Sequence, residues 1–247
     1  MTDSALLTLP SYRALLRSSW NRFWRFGGSL VLVYALVEAA ALAVSYLTGG
    51  WDSIRLSLGL PIPESAAQLD FNLTWSNIRR LGWEWLGLGL INTLGFGLAA
   101  LIISERFTLA AALRRFWSWA PTLILVSLIS GLLILAGLIL LIIPGIIASI
   151  WFLFAGYVAV LQRRSLIETL RQSRRLTQGV FWPLLGRWLL IILLVGALGL
   201  IISGIALAGP LANALLLAPF STVFTFELYQ ACLSFQPISH GQSNRTD

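Results

Sequence analysis

The chain has 247 residues, 57% of them apolar and only 11% charged, with a net charge of +7. A soluble chain of this length needs far more charge to clothe its surface, so the composition excludes a soluble globular protein and requires the bilayer as solvent. Every basic residue is an arginine, and the arginines stand at the ends of apolar runs, which points to a membrane surface and away from nucleic acid as partner.

Residues 1–28 read as an amphipathic cytoplasmic segment. At helical spacing Tyr12, Leu15, Leu16, Ser19, Trp20 and Phe23 share a mild face, with Arg17, Asn21 and Arg25 opposite. The apolar run Leu30 to Leu47 follows. It is too long for the core of an export signal and ends at Thr48-Gly49-Gly50-Trp51 without a small-residue cleavage site, so it reads as an uncleaved first span.

A membrane domain over 29–235 is expected to hold six spans, since a helix needs roughly 20 apolar residues to cross about 30 Å of hydrocarbon. The runs are Leu30 to Leu47, Trp85 to Ile103, Pro121 to Leu141, Ile146 to Leu161, Leu184 to Ile202 and Pro210 to Leu228. An external loop over 48–84 separates the first two, and Trp51, Trp75, Trp83 and Trp85 are placed to form an aromatic belt. Asn72-Leu73-Thr74 within the loop matches a glycosylation acceptor but stands too near the membrane to be used. Only Ile142-Ile143-Pro144-Gly145 divides the third and fourth spans, so Pro144 and Gly145 are expected to make a hairpin turn. A second short turn near Gly204 to Gly209 divides the fifth and sixth. The polar tail, 236–247, carries the single histidine, His240.

Positive charge is retained on the cytoplasmic side. With both termini in the cytoplasm, only Arg55, Arg79 and Arg80 fall outside. Two further cytoplasmic connections repeat the amphipathic design. Leu109, Ala112, Leu113 and Phe116 precede the third span, with Arg114 and Arg115 beside them. Between Ser165 and Val180 the apolar face is Leu166, Thr169, Leu170, Ser173, Leu176 and Val180, with Arg164, Glu168, Arg171 and Arg175 opposite. Glu168 is spaced to pair with Arg164 and Arg171. Such segments suit the interface plane, where Arg17, Arg114, Arg164, Arg171 and Arg175 would face anionic lipid headgroups. Leu16-Arg17, Leu113-Arg114 and Leu170-Arg171 stand at matching places, consistent with three units of elbow helix plus hairpin or with chance.

Ile143-Pro144-Gly145-Ile146-Ile147, the aromatics Trp151, Phe152 and Phe154, then Leu170-Arg171, Ser173, Arg175-Leu176-Thr177, Gly179, Phe181-Trp182 and Gly186 form the most distinctive stretch. It resembles the multispanning family related to the membrane domain of glycerophosphoryl diester phosphodiesterases. The ending Phe224 to Leu233, with Tyr229, is similar to that family too. Two features depart from the pattern. Gln162-Arg163-Arg164 stand where an acidic residue is common, and the phosphodiesterase domain that some members append does not follow the sixth span. The resemblance therefore implies an all-α membrane fold and a location, without an activity.

Few residues offer chemistry. Glu38 lies some nine residues into the first span, about 13 Å deep at 1.5 Å per residue, and Asn92 and Thr93 lie at similar depth in the second. A carboxyl there is expensive unless paired or protonated. Two readings stand: a proton or cation relay or a substrate contact on one side, and an interhelical hydrogen bond from Glu38 to Asn92 on the other. Glu227, near the cytoplasmic end of the sixth span, is expected to form an interfacial salt bridge, with Arg187 a plausible partner. Gly89, Thr93 and Gly97 recur every four residues, which suits close helix approach. Ser127, Ser130, Ser149 and Ser203 have no histidine or lysine to activate them. With Cys232 alone, no intramolecular disulfide or cysteine cluster is available, and no metal site or cofactor is expected.

The expectation is a non-catalytic plasma membrane protein that organises or senses lipid, or assists a membrane partner or a second copy of itself. The alternative is a small-solute or ion transporter with Glu38 and Asn92 on its path. An enzyme is not expected, because a nucleophile and a metal site are lacking.

Overall fold

The computed structural model describes residues 9–58, 60–61, 75–104, 109–203 and 208–234. The polar tail with His240, the middle of the external loop with Asn72, Arg106 and the turn at 204–207 lie outside the described residues, as do the side chains of Trp51, Trp75, Arg79, Arg80 and Arg115.

The described residues form an all-α, polytopic membrane fold with six helical stretches long and apolar enough to cross a bilayer. The helices are α1 (Tyr12–Ser57), α2 (Trp75–Ile103), α3 (Leu109–Leu140), α4 (Ile142–Trp151), α5 (Ala155–Gln162), α6 (Leu166–Thr177), α7 (Phe181–Ser203), α8 (Ala208–Ala212) and α9 (Ala218–Ser234). One π-helical turn, Asn213–Leu217, joins α8 to α9. The fourth span is α4 with α5, and the sixth is α8, the π turn and α9.

Two of the three elbow helices are not separate elements. The N-terminal amphipathic segment runs into the first span without interruption, so α1 is one helix of 46 residues. At 1.5 Å per residue it is about 69 Å long, more than twice the hydrocarbon thickness. The stretch before the third span is likewise continuous with it through Pro121. Proline removes one backbone donor there, but its fixed φ is helical and neighbouring helices can re-satisfy the freed carbonyl. Only α6 is a helix of its own.

The hairpin between the third and fourth spans is tighter than the spacing suggests. Its single non-helical residue is Leu141 (φ −161°, ψ 141°), and Pro144 and Gly145 belong to the first turn of α4. Proline is tolerated in that turn because its N–H would have had no intrahelical partner. Gly145 serves close approach rather than chain reversal. A Cβ on Gly137 would stand 3.0 Å from the Gly145 Cα, and one on Gly145 would stand 2.8 Å from the Leu138 amide nitrogen.

The core is aromatic and gathered where α1, α2, α5 and α9 meet. Phe154, Tyr157, Phe224, Phe226 and Tyr229 are fully or almost fully buried. Tyr157 stacks on Tyr229 with ring centroids 5.5 Å apart and meets Phe96 edge-on at 4.8 Å. By contrast α7 is peripheral: only 6% of its apolar window is buried, against 39% for α2. Apolar side chains on both faces of such a helix are no penalty in lipid.

Candidate functional site

The alternation of the spans brings the start of α1, the ends of α2, α5 and α9, and the start of α7 to one end of the bundle, and the arginines follow. Arg22 of α1 makes an ion pair through Nε with Oε1 of Glu227 on α9. Its Nη1 donates to the Ile103 carbonyl at the end of α2 at 3.2 Å, and its guanidinium lies 5.2 Å from the Phe226 ring centre. The salt bridge expected of Glu227 is therefore present, but its partner is Arg22 and not Arg187. Arg187 instead binds the chain entry to α1, donating to the carbonyls of Pro10 at 2.9 Å and Leu9 at 3.1 Å while lying over the Tyr12 ring.

The most specific construction at this end joins α6 to a break in the fourth span. Between α4 and α5 the residues Phe152 to Phe154 leave the α-helix, and the Ala155 N–H donates to the Phe152 carbonyl. In a continuous helix that donor would serve Trp151. The freed Trp151 carbonyl accepts the Ser173 hydroxyl of α6 at 2.8 Å, and Arg174 stacks on the Trp151 ring at 4.3 Å. Two of the six spans are thus interrupted. The fourth is broken under α6, and the sixth contains a π turn.

The sequence explains why α6 stands alone. Ser165 precedes it, and the Glu168 carboxylate turns back to accept the Ser165 N–H at 3.4 Å, within a capping-box arrangement. This use of Glu168 replaces the expected pairing with Arg164 and Arg171. Arg163 supplies the turn into Ser165 with a left-handed φ of 50°. Thr169, Ser173, Leu176 and Thr177 are buried, while Arg163, Arg164, Arg171, Arg174 and Arg175 are exposed. Arg17 and Arg114 are exposed as well, on α1 and α3. Among the described residues, Arg17, Arg114, Arg164, Arg171 and Arg175 have no acidic partner.

A polar network beneath this layer was missed from sequence. The Tyr34 hydroxyl of α1 and the Thr222 hydroxyl of α9 are 2.6 Å apart. Tyr157 of α5 donates to the Thr222 carbonyl at 2.8 Å, and Gln162 donates to the Tyr229 hydroxyl at 2.9 Å. Tyrosines inside apolar runs were the available signal, since a buried phenol needs a partner.

On the other side of the bundle centre, Glu38 and Asn92 do face one another across a groove between α1 and α2. They are not hydrogen-bonded. The Asn92 amide donates to the Leu88 carbonyl of its own helix at 2.9 Å, the usual way for a short polar side chain to satisfy itself within a helix. Thr93 is turned away, lining a second groove between α2 and α3, because successive helical residues differ by about 100°. The close approach of α2 to α1 is made at Gly95, where a Cβ would stand 3.4 Å from the Val37 Cβ and closer still to a Val37 methyl. At Gly89, one member of the expected small-residue stripe, a Cβ would meet nothing within 4 Å. Trp83 and Trp85 are exposed at the far end of α2, as a belt requires.

Among the described residues no group of three His, Cys, Asp or Glu side chains could hold a metal ion. No protein family, curated protein or solved structure matches the chain.

Proposed function

We propose that this multi-pass protein is a non-catalytic lipid-organising or lipid-sensing component of the plasma membrane, with both termini cytoplasmic and its arginine-bearing end held against anionic headgroups. The observation that carries the reading is the seat of α6. A helix with buried hydroxyls and a carbonyl-capping serine is fixed to a break in a span, and its outer face presents arginines that form no ion pair among the described residues, beside a Glu168 turned back to the helix start. Each arginine near an anionic leaflet contributes on the order of 1 kcal/mol, so several together favour that leaflet over a neutral one. Arg17 and Arg114 extend the same surface onto α1 and α3. A membrane partner or a second copy of the chain would meet this end too, and the resemblance around Pro144 to Gly186 supports a membrane domain of this kind.

The test is the lipid that travels with the purified full chain. Quantified by mass spectrometry, anionic phospholipid should fall at least fivefold relative to zwitterionic lipid when Arg164, Arg171 and Arg175 are all changed to Gln. An unchanged lipid ratio in the folded variant would sink the proposal. The transporter reading stays second, supported by the shared groove of Glu38 and Asn92.

A further inference from the structure

A groove of about 670 Å³ separates α7 from the sixth span. Its α7 wall runs from Trp188 to Leu200, about 18 Å at 1.5 Å per residue. Gly196 and Gly199 leave that wall without side chains midway, and a Cβ on Gly196 would meet nothing within 4 Å. Opposite stand Asn213, Ser221 and Thr225. The Ser221 and Thr225 hydroxyls donate to carbonyls of their own helix at 2.8 and 2.9 Å, so neither requires a polar occupant. Asn213 differs. It opens the π turn, is exposed, and its side chain forms no hydrogen bond among the described residues. It lies four residues into the sixth span, about 6 Å from the end remote from Glu227 and the arginines. A polar side chain left to lipid is expensive, and π turns inside helices occur mostly at functional sites.

We propose that this groove holds one acyl chain of a glycerophospholipid, with the Asn213 amide donating to the ester carbonyl and the chain running past Gly199 and Gly196 to Trp188. The length suits it, because one leaflet contributes about 15 Å of the roughly 30 Å of hydrocarbon. The polarity suits it too: a single donor stands at the mouth, where an ester lies, and the walls beyond are apolar or satisfied. A transmembrane helix is too bulky. Over the same 18 Å a helix would occupy roughly 1,400–2,000 Å³, far more than the groove encloses. No charged side chain among the described residues lines the groove, so headgroup charge does not select the lipid, and the site is independent of the arginine-bearing end. Left unfilled, the groove would forfeit dispersion contacts along α7.

The experiment uses the purified full chain in phosphatidylcholine nanodiscs containing a small fraction of phosphatidylcholine with a photoreactive diazirine, placed either at the end of one acyl chain or beside its ester. Labelled residues are mapped by mass spectrometry. The chain-end probe should label 188–192 and Thr225, and the ester-side probe Gly199, Leu200 and Asn213. Each should exceed by at least fivefold the labelling of the exposed leucines of α3 between 125 and 140, which report on bulk lipid. Gly196→Leu fills the groove where an added side chain meets open space, so it should lower groove labelling at least fivefold at an unchanged apparent melting temperature. Groove labelling no stronger than that of α3 would mean bulk lipid only and overturn the site. Unchanged labelling in Gly196→Leu, or a reversed order of the two probes along α7, would do the same. Should Gly196→Leu not fold, Asn213→Ala decides: it should lower labelling by the ester-side probe severalfold, and unchanged labelling overturns the proposal.

Discussion

Arg22 and Glu227 stand 205 positions apart and form an ion pair that ties the first span to the last. The pair is only partly covered, with side-chain exposures of 26% and 13%, and Arg22 also caps the end of α2 through the Ile103 carbonyl. One guanidinium therefore holds three helices together at the arginine-bearing end.

That arrangement predicts strong coupling. In reversible detergent-driven unfolding, Glu227→Ala and Arg22→Ala should each destabilise the protein by about 2 kcal/mol, the range of hydrogen bonds to charged groups. The double variant should be little worse than either single one. Additive losses would show that the two side chains act independently.

Ser173 fills the carbonyl that the break after Trp151 leaves free. Ser173→Ala should destabilise by about 1 kcal/mol, with the loss concentrated in α6, because a partly buried carbonyl is left unpaired. Hydrogen exchange across 166–177 should speed up in the variant relative to the rest of the bundle. Equal change throughout, or none, would contradict the capping role.

At Gly145 an added side chain meets backbone, which cannot move aside as a side chain can. Gly145→Val should therefore destabilise by roughly 1–3 kcal/mol as an overpacking change. Gly89→Ala should be near neutral, since nothing stands within 4 Å of its added Cβ. The opposite ranking of these two variants would mean that the α3 and α4 hairpin is less tight than its backbone indicates.

Sidedness follows from arginine placement. In a Cys232→Ala background, cysteine at Ser65 should be labelled by a membrane-impermeant reagent from outside, and cysteine at Ser165 only after permeabilisation. The reverse pattern would invert the proposed topology.

Span number was legible because hydropathy over some 20 residues is a property of consecutive sequence. The exposed and buried faces of α6 were legible too, since Ser173 and Leu176 alternate with Arg171 and Arg175 at the period of a helix lying between two solvents. Within a span that signal fails. Lipid is as apolar as a protein core, so Leu123, which is buried, and Leu125, which is exposed, are indistinguishable by type. Which helix meets which, and hence that Glu227 takes Arg22 and that Tyr34 reaches Thr222, depended on side-chain packing between distant segments. The break at Phe152 to Phe154 belongs with these, because its stability rests on a serine 22 residues away that supplies the hydrogen bond the span gives up.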